Sequence, residues 1–177
     1  MKKIILSEKS VEEAKDYAKL SRSFTSNRHD FHSGGLNQKE KKMFEGKLGE
    51  KAIKQWFEEG GIKYEEDSSH HEVADDYDFI IWKADGTKLK VDVKTRTKSF
   101  HVRTLEMVEQ ILKKPKDIYV SVRLYGEKAP YEVELIGFAT AKDFTSKNRI
   151  QNLGYLDNYV LFDNELIPMD KLETYLK

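Results

Sequence analysis

The sequence predicts an α/β fold, with a mixed central β-sheet built on an antiparallel hairpin and meander and flanked by helices. Three observations carry this. Residues 78–94, DFIIWKADGTKLKVDVK, place an apolar, β-prone run (Phe79, Ile80, Ile81, Trp82) before an alternating one, in which Leu89, Val91 and Val93 interleave with Lys88, Lys90, Asp92 and Lys94. Ala84-Asp85-Gly86 between the runs is a turn signal, with glycine free to take φ > 0. Residues 118–124, IYVSVRL, alternate as a strand, and residues 131–139 supply another after the GEKAP loop. Upstream, Phe44, Leu48, Ala52 and Trp56, with Met43, Ile53 and Phe57, recur at helical spacing.

Taken in order, Ser10-Val11-Glu12-Glu13 reads as a capping box for a helix through about Leu20. Its apolar positions, Val11, Ala14, Tyr17, Ala18 and Leu20, are sparse, as expected of an accessory helix. A polar loop fills residues 21–36 and carries Arg22, Arg28, His29 and His32. Asn37 with Glu40 opens the long helix, and Gly60-Gly61 stops it. Residues 62–65 read as a short edge strand, followed by the loop DSSHHEVADD, in which the side chains of His70 and His71 diverge. Thr104 is positioned to cap a helix with the face Leu105, Val108, Ile111 and Leu112, ended before Pro115. A short helix at 141–145, a strand at 159–162 and a helix capped by Asp170 with Glu173 close the chain. The expected organisation is one domain: residues 1–36 form an accessory helix and loop, and residues 37–177 the core with its C-terminal additions.

Loop parity decides which hairpin side chains meet. With a two-residue turn, Asp78 lies across from Val93 and on the opposite face from Asp92. With a three-residue loop, Asp78 pairs with Asp92, Phe79 with Val91 and Ile81 with Leu89. The second register alone makes one face consistently apolar, and register follows the buried face. It puts Asp78, Asp92 and Lys94 on the other face. Paired carboxylates repel, so a compensating cation is expected, and a hard divalent ion with oxygen ligands suits them. The plain alternative is a solvated hairpin face. Asp75 and Asp76 compete with Asp78, and Asp76 shares its parity.

Composition bounds the partners. The chain has 177 residues with 31 basic and 31 acidic side chains, so bulk charge does not announce a nucleic acid. Locally, Lys88, Lys90, Lys94, Arg96, Lys98 and Arg103 face Asp92 alone, with His101 besides, a strip suited to a phosphate backbone. Solubilising lysines on a strand edge explain each of them equally well. The loop at 21–36 could also reach DNA through Arg28 and His29. His29 and His32 have no third or fourth partner for zinc. The acidic stretch from Gly154 onward is expected to face away from DNA. Cysteine is absent, which removes a disulfide framework and thiolate zinc sites. No apolar run approaches a membrane span and the N-terminus is charged too early for a secretory signal, so a soluble, cytoplasmic protein is expected.

Asp78, then Asp92-Val93-Lys94, with Gly46-Lys47-Leu48-Gly49-Glu50 in the preceding helix, resembles the PD-(D/E)xK nuclease superfamily. Tyr77 stands where that motif has proline. The resemblance spans roughly residues 40–140 and identifies a superfamily rather than one protein. It implies a restriction endonuclease-like fold and a metal-dependent DNA endonuclease, of the restriction type or a repair or junction nuclease, leaving a 5′-phosphate. It further implies Mg²⁺, with Mn²⁺ as a substitute, held by Asp78, Asp92, the Val93 carbonyl and Glu50. Lys94 then positions the attacking water, and Arg96, Lys98, Arg103, Arg28 and His29 are the candidate DNA contacts. Homodimers are common in the superfamily. The alternative is a catalytically silent DNA-binding or structural module that keeps the fold.

Overall fold

Residues 2–21, 36–67, 76–152 and 156–177 are described by a computed structural model. The chain begins with β1 (Lys2–Ile5), α1 (Glu8–Ser21), the long α2 (Leu36–Gly60) and the short β2 (Tyr64–Glu66). The hairpin β3 (Phe79–Trp82) and β4 (Lys88–Arg96) follows, then β5 (Arg103–Met107) and α3 (Val108–Lys113). Next come β6 (Ile118–Tyr125), β7 (Glu132–Ala139), α4 (Ala141–Lys147), β8 (Ile150–Asn152), β9 (Asp157–Phe162) and α5 (Leu172–Leu176). A six-stranded sheet runs β1-β7-β6-β4-β3-β2, and a smaller sheet runs β5-β9-β8. Only the β4–β6 pair of the large sheet is parallel. Parallel neighbours need a long crossover, which β5 and α3 supply. The mixed α/β architecture is therefore as expected.

The core explains the layering. Leu48, Ala52, Ile53 and Phe57 of α2 are fully buried against Phe79, Ile81, Val91, Val120 and Val122 of the sheet. The other face of β6 and β7 packs Tyr119 and Ile136 with Ile111, Phe144 and Leu161. Covered on both sides, β6 is buried along most of its length although its sequence alternates. Among the described residues, no helix is long and apolar enough to cross a membrane.

The N-terminal segment packs on the sheet edge and into the core. β1 pairs with β7 at the edge of the large sheet, a strand that charged MKKII does not announce. Val11 and Ala14 of α1 enter the main core, whereas Leu20 is exposed. Ser7, not Ser10, sits before the first turn, and its Oγ accepts from the Ser10 N–H at 3.2 Å.

Two other expectations are corrected. Thr104 caps no helix; it is buried within β5, opposite Leu161 of β9, and its Oγ1 bonds Ser121 Oγ at 2.9 Å. The helix starts at Val108 instead, leaving Leu112 exposed. Pairing with a strand more than fifty residues downstream overrides the local helical pattern. Asp170 lies inside a 3₁₀ turn, Met169–Lys171, and α5 begins after it without a side-chain cap.

Candidate functional site

The hairpin has the odd-length loop. Phe79 pairs with Val91, Ile81 with Leu89 and Trp82 with Lys88. Lys83 N–H donates to the Thr87 carbonyl at 2.9 Å, and Gly86 N–H donates to the Lys83 carbonyl at 3.0 Å. Gly86 takes φ +85°, the left-handed conformation this turn requires. Asp78 then continues the ladder toward Asp92: its N–H donates to the Val91 carbonyl at 2.9 Å, and its Oδ2 accepts from the Val93 N–H at 2.6 Å.

Helix α2 brings in the next group. A Cβ at Gly49 would stand 2.0 Å from Thr95 Oγ1 and 3.0 Å from Val122 Cγ2, so the bare backbone lets α2 sit directly on β4 and β6. Thr95 Oγ1 also donates to the Gly46 carbonyl at 3.4 Å. Close approach of the protein's own strands accounts for Gly49; Gly46 faces open space. Glu50, one residue beyond this seat, reaches the acids of the hairpin. Burial first, then the Glu50 and Asp92 carboxylates, push the Asp78 carboxyl well above the ordinary carboxylate range, against Lys47 and the Val93 N–H.

Two lysines balance these acids. Lys47 Nζ lies 2.6 Å from Glu50 Oε2 and 4.2 Å from the centre of the Tyr17 ring on α1. Burial disfavours its charge, but Glu50 outweighs burial and raises its pKa. Lys94 Nζ lies 2.8 Å from Asp92 Oδ2 and 2.5 Å from Glu106 Oε2. Burial again opposes the charge, and the two carboxylates more than offset it. Burial also raises the Glu106 carboxyl, with Lys94 opposing. The cluster thus holds four acids and two lysines from α2, the β3 entry, β4 and β5. The side chains of Glu50, Asp92 and Lys94 keep 19%, 21% and 30% of their accessible surface, enough to meet a substrate.

The donor set suits a hard divalent cation. Glu50, Asp78 and Asp92 are oxygen donors from three elements, and a cation among them would relieve the repulsion felt by Asp78. Asp92 Oδ2 and Glu106 Oε2 are buried and, among the described residues, accept no hydrogen bond beyond the ion pair with Lys94. No three His, Cys, Asp or Glu side chains among the described residues converge as a ready metal cage. The lysines hold the acids in their place.

Other expected site residues sit elsewhere. Asp76, the rival of Asp78, is engaged by Lys90 at 2.7 Å and Lys114 at 3.6 Å. Arg96 is only 8% exposed, and its Nη1 donates to Asp163 Oδ1 and the His101 carbonyl, both at 2.7 Å. It is a buried tie between β4 and the C-terminal segment, not a surface contact. Asp163 also meets Arg123 at 3.1 Å, so part of the acidic C-terminal stretch folds back onto the basic strip. Half-buried Arg103 donates to Gln151 Oε1 at 2.6 Å. Lys98 is exposed and lines a cleft of about 450 Å³ with Lys41, Phe44, Phe100 and Tyr131. Arg28 and His29, like His70, His71 and Asp75, lie outside the described residues.

Sequence reasoning missed Lys47 and Glu106. Lys47 had a signal, since it stands three residues before Glu50 on one helix. Glu106 had none, because its place depends on β5 being a strand. Comparison of the chain with protein-family models, curated proteins and solved structures finds no match.

Proposed function

We propose that the chain is a Mg²⁺-dependent DNA endonuclease of the restriction, repair or junction type. The observation that carries this reading is the meeting of Glu50 of α2, Asp78 at the entry to β3, and Asp92 and Lys94 of β4 in one partly buried cluster. The resemblance of these residues to the PD-(D/E)xK motif supports it. Asp78, Asp92, the Val93 carbonyl and Glu50 would hold the cation. When bound, it supplies a Lewis acid for the scissile phosphate and lowers the pKa of water.

The chain's own residues do the rest. The Val93 N–H fixes the Asp78 carboxylate and sets its direction. Lys94, whose raised pKa keeps it an ammonium at neutral pH, donates hydrogen bonds to the attacking water and offsets charge growing on the phosphate. Lys47 anchors Glu50 and ties it to α1. Among the described residues, Lys98 is an exposed cation of the basic strip, and with Lys41 in the same cleft it is available to meet the phosphate backbone.

One observation favours a second reading, a DNA-binding or structural module without turnover: Lys94 is shared by two carboxylates, so the cluster is internally compensated. The test is cleavage of supercoiled, linear, single-stranded and branched DNA by wild type and Lys94→Ala with Mg²⁺, Mn²⁺ or EDTA. Metal-dependent cutting by wild type alone supports the nuclease. No cutting of any substrate, with DNA binding intact, supports the silent module.

A further inference from the structure

We propose that Glu106 is a positioning residue of this cluster, whose carboxylate fixes where the Lys94 ammonium stands; the role rests on the reading of Lys94 given above. Glu106 lies outside the hairpin and α2, on the first strand of the small sheet. Alternation along β5 buries Thr104 and Glu106 on one face. Thr104 Oγ1 bonds Ser121 Oγ at 2.9 Å, and Ser121 is the register partner of Lys94 across the parallel β4–β6 pair. That hydrogen bond pins β5 over the large sheet, and Glu106, two residues on, reaches Lys94 Nζ.

A carboxylate that is 5% exposed is an expensive choice in a strand whose partner β9 is buried through Val160 and Leu161. An apolar side chain would serve packing alone. Glu106 is instead aimed at the one ammonium that Asp92 also holds, and the Tyr119 ring lies 6.0 Å from the same Nζ. Held by Asp92 alone, the long lysine side chain could swing about one contact. Two carboxylates from two strands define its position in two directions. A displacement of about 1 Å at such a group is enough to lower turnover about a hundredfold.

The test compares wild type, Glu106→Gln, Glu106→Asp and Lys94→Ala, each checked for folding by thermal melt, in steady-state DNA cleavage and in trace acylation of lysines read residue by residue. Glu106→Gln keeps the shape and removes the charge. Its kcat is expected to fall about 10- to 100-fold with KM nearly unchanged. Acylation at Lys94 is expected to rise several-fold relative to exposed Lys88. Glu106→Asp keeps the charge but shortens the reach, so intermediate values are expected; wild-type turnover there would mean that charge alone matters and would overturn positioning. Because Lys94→Ala leaves no cleavage to lose, the coupling is read in the thermal melt: Glu106→Gln should lower the Tm of the wild type but not that of Lys94→Ala, and equal shifts in both backgrounds overturn the proposal. Unchanged Lys94 acylation in Glu106→Gln overturns it whatever the cleavage result. Raised acylation in a protein whose wild type cuts no DNA keeps the hold of Glu106 on Lys94 and removes the nuclease reading instead.

Discussion

Gly46 and Gly49 lie three residues apart on α2, and alanine at the two positions is expected to act in opposite senses. At Gly46 an added Cβ meets nothing within 4 Å, so the helix-propensity gain of about 0.8–1.0 kcal/mol is realised in full. At Gly49 the same Cβ would stand 2.0 Å from Thr95 Oγ1, 3.1 Å from Thr95 Cβ and 3.0 Å from Val122 Cγ2. Thr95 is β-branched and held in β4, so it has little rotamer freedom with which to give way. Overpacking of this kind costs about 1–3 kcal/mol, and the propensity gain offsets about 1 of that. Because that gain is common to both variants, the difference between them isolates the packing cost. For a chain of this size it corresponds to about 2–4 °C in Tm per kcal/mol. Thermal or urea unfolding of the two variants reads this directly. Because Glu50 rides one residue beyond the seat, Gly49→Ala should also weaken any activity that depends on Glu50, while Gly46→Ala should not. Equal stabilisation by both substitutions would refute the close docking of α2 on β4, and with it the account of how Glu50 reaches Asp78.

Three further outcomes are expected. The folded Asp78 carboxyl is raised above its unfolded value, so the stability it contributes is full below about pH 4 and is lost as pH rises through the folded pKa. Asp78→Asn, which can still accept the Val93 N–H, should therefore raise the Tm of the metal-free protein at pH 8, with the gain vanishing toward pH 4. A gain independent of pH would refute it. Arg96→Ala should destabilise the fold by about 1–3 kcal/mol, because it removes the hydrogen bonds from Arg96 to Asp163 and to the His101 carbonyl while Asp163 keeps Arg123, and should do so with or without DNA. A loss of DNA affinity at unchanged Tm would restore Arg96 as a surface contact. Mg²⁺ at a hundred times its Kd should stabilise the wild type by about 2.7 kcal/mol. Asp92→Ala should abolish that shift, and an equal shift in the variant would place the ion elsewhere.

The legible parts of this chain were the ones whose signals are local. The register of the hairpin follows from the apolar face of residues 79–82 and 89–93 and from one glycine able to take positive φ, so the juxtaposition of Asp78 and Asp92 is legible in the sequence. The buried face of α2 and its stop at Gly60 were read from spacing and the glycine pair, whereas Asn37, expected to open the helix, lies inside it because α2 begins at Leu36. Strands β6 and β7 were read from apolar patterning. Residues 103–107 were misread because their pattern tolerates a helix, and only pairing with β9 makes them a strand.

Charge was the other limit of sequence. Arg96, Lys98 and Arg103 are equivalent as letters in a basic strip, but the fold buries the first against Asp163, bonds the second-sheet arginine to Gln151 and leaves Lys98 exposed. Where a long cationic side chain ends depends on which carboxylate the tertiary fold brings near it, and such partners lie tens of residues away. The same holds for Lys94. Its place beside Asp92 was determined by the two-residue repeat of one strand, whereas Glu106 reached it only because β5 crosses β4 and β6 with Thr104 bonded to Ser121. Sequence alone determined the pairs that one hairpin or one helix can make; the contacts between layers required the closed core, since burial energy summed over the whole chain decides which surfaces meet.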